Sequence, residues 1–298
     1  MHQPDKGHMA KMASAWRCHE REWGDTQYVY AVVSRRSRGI SIGINLNPDK
    51  VCNFDCIYCQ VQRDMPISTR TVDLEKLEKE LDQILQAEKD GSLYEMAPFD
   101  LLPREERGVR DIAFSGNGEP TLYPRFAETV RIAVQARQRF GLDSAKLILL
   151  TNASYLNKPE IKAALAVMDQ NSGEIWAKLD AGTEEYFRTV NRSRMSFDRI
   201  LKNILGAARE RPLIIQSLWL RVNGVAPSTE EVDAYCRRLN SIISANGRPK
   251  VIQLYTIARD PAEAYAEPLS DDELNRIATI VRNRVPVPVE VFAGSRQP

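Results

Sequence analysis

Short β-branched, apolar runs alternate with stretches of helical periodicity along almost the whole chain, and that alternation selects a parallel α/β architecture. The runs Ile40–Leu46, Val109–Phe114, Lys146–Leu150, Ile175–Leu179, Leu213–Val222 and Val251–Ile257 read as strands. Between the first two, Val72–Lys89 carries apolar residues at 74, 77, 81, 84 and 85, the spacing of an amphipathic helix. Helices are also expected over about 125–140 and, after the fourth strand, to Ala208. Asn157 with Glu160, Ser228 with Glu231, and Ser270 with Glu273 predict three further helix starts. On the helix after Ser228, Cys236 falls on an apolar face with Val232, Tyr235, Leu239 and Ile242, which makes it a core residue. Pro286–Phe292 reads as a terminal extended segment, and Asp90–Gly108, with two prolines and a charged run, as a surface insertion. Six such units fall short of the eight-fold barrel and predict an incomplete (β/α)6 barrel of parallel strands, whose site lies at the strands' C-terminal ends. The expected division is an N-terminal extension over 1–27, the barrel domain over 28–292 and a tail over 293–298.

Composition narrows the function classes. A formal net charge of +1 argues against a uniformly basic, nucleic-acid-coating surface. The charge is uneven, though. Between Tyr186 and Arg211 lie Arg188, Arg192, Arg194, Arg199, Lys202, Arg209 and Arg211, against only Asp198 and Glu210; a second knot is Arg35, Arg36 and Arg38. A solvated face is the plain account of such a run, and a phosphate- or RNA-contacting patch the functional one. No apolar run approaches the roughly 20 residues of a membrane span, and Met1–Tyr28 has no apolar h-region, so a cytoplasmic protein without a membrane partner is expected. All three histidines (His2, His8 and His19) precede residue 20, which removes the Ser-His-Asp, Cys-His and His-rich zinc readings from the body of the chain.

Three of the five cysteines fall within eight residues, in VCNFDCIYCQ. That packing, with an odd total, is unlike a disulfide framework and like a metal or redox site. Cys52, Cys56 and Cys59 form C-x3-C-x2-C, and three thiolates on one short loop reach three corners of a cubane iron–sulfur cluster. No fourth cysteine is local, so one iron stays open to a small chelating molecule. Zinc wants four ligands, commonly at paired spacings, and finds no second pair here. A plain electron-transfer or sensor cluster would need a remote fourth thiolate such as Cys18. Tyr58, just before the third cysteine, suits either contact with a cofactor ring or simple loop packing.

C-x3-C-x-aromatic-C resembles the hallmark of the radical S-adenosylmethionine (SAM) superfamily without departure. The wider stretch SRRSRGISIGINLNPDKVCNFDCIYCQ is similar to a narrower group, the Fe–S oxidoreductases related to the wybutosine-synthesis (tRNA 4-demethylwyosine synthase-like) enzymes. FSGNGEPTLYP, LLTNAS, KLDAGTEEYFRTVNR and VIQLYTIARDPAEAYAEPLS continue the likeness over roughly residues 28 to 292. The resemblance implies a [4Fe–4S] cluster on Cys52, Cys56 and Cys59, and SAM as cofactor. It also implies a reduced flavodoxin- or ferredoxin-like electron donor, and hydrogen abstraction from a substrate by a 5′-deoxyadenosyl radical. For substrate the relatives imply a modified tRNA guanosine. They hold a second cluster on additional N-terminal cysteines, however, whereas only Cys18 lies upstream here. The resemblance therefore implies one cluster and does not carry their pyruvate condensation over.

The other candidate residues sit at strand ends. GNGEPT after the second strand is not G-x-G-x-x-G, so a dinucleotide fingerprint is not read there. By the resemblance Gly116, Gly118 and Glu119 match the motif that contacts the SAM amino group, with Asn117 where the family usually has Gly. A carboxylate is a fitting acceptor for an ammonium group. Asn152 and Ser154 are candidates for the ribose hydroxyls, or else a strand-end turn. Lys178 and Asp180 share one face of the fourth strand, as a barrel-mouth pair or a self-neutralising one. Arg221 with Asn223, and Gln253 with Tyr255, are further alternate pairs.

Overall fold

The computed structural model describes residues 25–61, 69 and 71–294. Residues 1–24, with Cys18 and the three histidines, and the last four residues of the tail lie outside that description. The ISIGI run forms β2 (Gly39–Ile44), buried on both faces as a strand of a covered parallel sheet should be. The parallel strands β3 (Val109–Phe114), β4 (Lys146–Thr151), β5 (Gly173–Lys178), β6 (Leu213–Leu218) and β8 (Pro249–Tyr255) follow it in order across the sheet. The terminal extended segment joins the same sheet as β10 (Val289–Phe292), parallel to β8. The sheet curls into a half-barrel, the incomplete TIM-type barrel that the alternation predicts.

Helices α1 (Leu74–Asp90), α2 (Phe126–Arg139), α3 (Pro159–Asp169), α4 (Glu184–Asn191), α5 (Phe197–Glu210), α6 (Thr229–Ser244) and α7 (Asp271–Arg284) are joined to the sheet by the main core. Their apolar sides meet alternate strand residues such as Ile42, Ile112, Leu147, Ile175 and Ile215. The intervening strand positions (Ala113, Ile148, Trp176, Ile214) form a separate small cluster on the inner side. Cys236 is buried on α6, in the core as expected.

Several boundaries differ from expectation. An eighth strand, β1 (Val29–Ser34), pairs antiparallel with β2 through a turn at 35–38, where Arg38 takes a left-handed conformation (φ 54). That turn has none of the Asn-Gly signals that mark hairpins. β1 and β10 are the two edges of the sheet, and the Arg35 guanidinium donates to the Ala293 carbonyl (2.7 Å), tying one edge to the other. The expected strand Leu213–Val222 breaks at Trp219, which is fully buried against Tyr235 and Tyr186. Beyond it β7 (Leu220–Val222) leaves the barrel to pair with β9 (Ala266–Pro268). The helical stretch to Ala208 is two helices, parted where Arg192 ends α4 in the left-handed region (φ 43) and Ser196 caps α5.

Asn157 is not a cap. Pro159 occupies the first turn of α3, so Lys158 takes the cap position with no side-chain bond. Ser270 and Glu273 form the full reciprocal box. Ser228 caps α6, but Glu231 turns instead to the Gly182 and Thr183 amides and the Thr183 hydroxyl. Residues 90–108 lie on the surface as three 3-10 turns, anchored to the core by buried Leu93, Phe99 and Leu102. Among the described residues no helix is long and apolar enough to cross a membrane.

Candidate metal and cofactor site

After β2 the chain crosses the C-terminal mouth of the barrel as the cysteine loop. Its apolar residues anchor it: Phe54 packs edge-on to Phe187 (5.5 Å), and Ile57 and Tyr58 are buried. Its backbone is tied on two sides. The Asp55 and Ile57 amides donate to the last carbonyls of α4, Asn191 (3.1 Å) and Val190 (2.9 Å), which lack partners within their own helix. The Ala262 and Glu263 amides donate to the Cys59 and Ile57 carbonyls (2.7 and 3.2 Å). Arg192 completes the latch, donating to the Asp55 carbonyl (2.7 Å) and pairing with the carboxylates of Asp55 and Glu263.

With the apolar residues inward, Cys52, Cys56 and Cys59 remain half-buried and line one cavity of about 350 Å³ inside the barrel mouth. Among the described residues no three His, Cys, Asp or Glu side chains converge as a single-ion site requires. A cubane instead spreads its thiolates over separate corners. Nitrogen donors approach two of the sulfurs: the Asn191 amide reaches Cys56 Sγ (3.4 Å) and the Phe54 backbone N–H reaches Cys52 Sγ (3.5 Å). Such bonds are among the levers that tune a thiolate-held cluster. Burial pushes the Cys56 thiol above its ordinary pKa, against the opposing pull of Lys178.

The Gly-rich loop after β3 lies directly against the cysteine loop. Asn45 Oδ1 accepts from the Asn47 and Asn117 amides (3.1 and 3.0 Å), joining the two segments. A Cβ on Gly116 (φ +149) would fall 2.4 Å from Asn45 Oδ1, and one on Gly118 only 2.1 Å from the Val51 carbonyl oxygen. Both glycines are therefore required by close approach. Gly118→Ala is expected to destabilise the fold by about 1–3 kcal/mol and to displace Val51, next to Cys52. Thermal unfolding alongside iron content after reconstitution checks this; a variant matching the parent in both would refute the packing argument.

Glu119 is buried, and its two oxygens accept from the Thr121 amide and hydroxyl (3.2 and 2.6 Å), the Thr151 hydroxyl (2.7 Å) and the Asn152 amide (2.7 Å). Burial raises its pKa and these donors oppose the rise. Gly116, Gly118, Glu119, Thr151 and Asn152 all line the cavity; Asn117 does not.

At the end of β4 the outcome is split. Asn152 lines the cavity and donates to Asn53 Oδ1 (2.8 Å), while its own Oδ1 holds the Ser154 amide. Ser154 is fully buried outside the cavity wall, with its hydroxyl unpaired, so the structure does not bring it to the ribose position. Asp180 is likewise behind the wall, 2% exposed. It accepts from the Tyr58 hydroxyl, from Asn191 Nδ2 (3.0 Å) and from the Leu218 amide (2.9 Å), and it pairs with Lys178 (3.6 Å). Asp180 therefore positions Tyr58 and Lys178, which do line the cavity, rather than reaching into it. Lys178 lies over the Tyr58 ring (4.4 Å) and donates to the Tyr255 hydroxyl (3.1 Å).

Of the remaining candidates, Tyr255 lines the cavity, whereas Gln253 is tied to Gln216 and Glu290. Arg221 is drawn away to Glu273 on α7, and Asn223 is a left-handed turn residue (φ 51). Asn45, Asn191 and Trp176 were not singled out from sequence, and Arg36 only as one member of a basic knot. Arg36, from the β1–β2 turn, lies over the Trp176 ring (5.4 Å) and close to Tyr255 (5.6 Å) in the inner cavity. A polar residue beside the cysteine motif flags Asn45. Asn191 and Trp176 act through contacts across more than a hundred residues, which no local pattern signals.

Comparison with known proteins fits this architecture. No protein-family model matches the chain. It is 26% identical over 254 residues to a protein named GTPase Obg from Brachyspira hyodysenteriae, spanning 33% of that protein's length. It is 29% identical over 251 residues to a UPF0026 protein of Helicobacter pylori, a match that covers 83% of this chain and 71% of the relative. The sequence has no G-x-x-x-x-G-K-[S/T] segment, so a phosphate-binding loop is not what it shares with the first of these.

Among solved structures, a radical SAM methyltransferase from Sphaerobacter thermophilus superposes with a TM-score of 0.60 at 14% identity, over 89% of this chain and 69% of that one. Streptococcus suis SuiB bound to S-adenosylmethionine gives 0.56 at 13% identity, over 87% of this chain and 52% of that one. TYW1 with a lysine–pyruvate adduct bound gives 0.53 at 16% identity, over 92% and 81%. The chain thus has the fold of the radical SAM enzymes.

Proposed function

We propose that this chain is a radical SAM enzyme, holding a [4Fe–4S] cluster on Cys52, Cys56 and Cys59 and SAM in the adjoining cavity. One observation carries the reading: three thiols from a single loop line the same cavity as the Gly116–Glu119 loop and Asn152, at the C-terminal mouth of parallel strands. The donor set suits the group, since three thiolates leave one iron corner for a chelating ligand. The SuiB neighbour, named as bound to S-adenosylmethionine, supports the same choice of cofactor.

When bound, the cluster and SAM together supply one-electron cleavage of a C–S bond, giving methionine and a 5′-deoxyadenosyl radical that abstracts hydrogen from the substrate. The chain's own part is to bind, orient and exclude water. Glu119 offers carboxylate oxygen to the ammonium group of SAM, and Asn152 offers its amide to a ribose hydroxyl. The glycines let the backbone approach closely. Tyr58, fixed by Asp180 and Asn191, sets one wall. Arg36, Trp176 and Tyr255 face the space left for substrate.

Burial pulls the Lys178 pKa down, but Asp180 and Tyr255 outweigh it and leave the ammonium firmer than an ordinary lysine. Held between Asp180 (3.6 Å), the Tyr255 hydroxyl (3.1 Å) and the face of Tyr58, Lys178 is assigned a positioning role. The electron is supplied by a reduced flavodoxin- or ferredoxin-like protein. A wyosine-type tRNA reaction is the alternative substrate reading, and a saturated electron-transfer or sensor cluster the alternative class.

Anaerobic reconstitution with iron and sulfide, followed by dithionite and SAM, should give methionine and 5′-deoxyadenosine in step. An intact cluster that yields neither would overturn the enzyme reading in favour of the electron-transfer one.

A further inference from the structure

Cys52 lines two cavities. Besides the inner one, it borders a shallow basin of about 470 Å³ on the outer side of the cysteine loop. Cys52 and Phe54 of the cysteine loop line both. The basin walls combine partly buried Tyr155 and Met195 with Arg192, Arg194 and Arg199. Arg192 is committed to Asp55 and Glu263. Arg194 and Arg199 are exposed and, among the described residues, form no salt bridge. Lys158 stacks 3.8 Å over the Tyr155 ring and is itself paired with Glu160 (4.0 Å). In a chain of net charge +1 this is a local excess of positive charge with an apolar floor, directly behind a cysteine of the candidate cluster.

We propose that this basin is the docking face for an acidic one-electron carrier protein of the flavodoxin class. The inference rests on the cluster reading above and adds where the electron enters. In the transfer, one electron leaves the reduced carrier, which is oxidised by one unit, and is received at the cysteine-held iron–sulfur group, which is reduced by one; no proton has to move. Electron transfer weakens steeply with distance, so the carrier has to approach close to the cysteines, and the basin reaches Cys52.

A polyanion such as RNA fits less well. Affinity for a phosphate backbone grows with the number of phosphates neutralised, and here only Arg194 and Arg199 are without a salt bridge among the described residues, in a basin that also holds Asp55. Opposite charge around an apolar centre is what steers a protein partner.

The test uses the full chain, the double variant Arg194→Glu/Arg199→Glu, the milder Arg194→Gln/Arg199→Gln, and a purified acidic flavodoxin as probe. Calorimetric titration of the cluster-free chain should show binding that weakens as NaCl rises. The Glu pair should weaken it at least about tenfold and the Gln pair less. After reconstitution, 5′-deoxyadenosine formation driven by reduced flavodoxin should fall in the same order, while formation driven by dithionite, which needs no docking face, stays at the parent level. Parent-like flavodoxin affinity in both variants would overturn the proposal. So would undetectable binding by the parent chain, or a loss confined to bulk tRNA binding. A parent chain with an intact cluster and no product under dithionite would instead sink the enzyme reading, and the titration would still judge the docking face.

Discussion

Alanine in place of Cys52, Cys56 or Cys59 is expected to abolish cluster retention and bring 5′-deoxyadenosine formation down to background. Each thiol is one of only three that the loop offers, and no imidazole lies in the described part of the chain to take over a corner. The loss should come without unfolding. The loop's position rests on backbone bonds to Asn191, Val190 and residues 262–263 and on the Arg192 latch, none of which uses a sulfur. Iron and sulfide content after anaerobic reconstitution, read beside the thermal midpoint, separates the two cases. Cys236→Ala is the control: that thiol is buried on α6 in the helix–sheet core, and its variant should keep both cluster and product at a modest cost in stability. If any single variant of the triad retained full iron and activity, the assignment of that residue would fail.

Asp180→Ala is the substitution with the largest expected effect on stability, about 3–5 kcal/mol. Its carboxylate is 2% exposed and meets four partners: the Tyr58 hydroxyl, Asn191 Nδ2, the Leu218 amide and the Lys178 ammonium. Removing it strands a buried backbone donor and leaves Lys178, itself only 23% exposed, without its counter-charge. The cost is chiefly that of an uncompensated cation, not of a lost attraction. Adding Lys178→Met should therefore restore a large part of the loss, because the double variant buries neither charge. Urea midpoints for the two single variants and the double variant give the coupling. Strict additivity would show that the pair acts independently and would refute the account. Asp180→Ala should also loosen Tyr58, so its SAM affinity should fall even where the protein stays folded.

The layered architecture was legible because strand and helix periods are written into short windows: β3 is predicted to the residue, and β2, β4, β5 and β8 to within two residues at most. The gathering of the three thiols at one cavity was legible for a different reason, since all three cysteines sit in one segment whose apolar residues fix which side chains turn inward. What escaped was set by tertiary contact. β1 owes its place to pairing with β2 across a turn without a hairpin signature, and Trp219 ends β6 because the barrel buries it whole. Asp180 and Ser154 have the right chemistry at the right strand ends, yet sit behind the wall. A two-residue period tells which face a side chain takes, and it loses meaning once the chain leaves the strand, as both residues do. The basic segment after Tyr186 was legible only as charge. The structure divides it into a latch at Arg192 and an outward pair at Arg194 and Arg199.

The latch has a thermodynamic consequence. In a zinc finger the metal's binding energy is spent on folding the peptide around it, and a chelator unfolds the domain. Here the cysteines stand on a loop whose Asp55 and Ile57 amides are already satisfied by α4 and whose Ile57 and Cys59 carbonyls accept from the amides of residues 262–263. On the cluster reading, metal capture would then be uncoupled from folding: affinity would reflect iron–thiolate chemistry with little ordering entropy subtracted, and removing the cluster is expected to leave the fold intact.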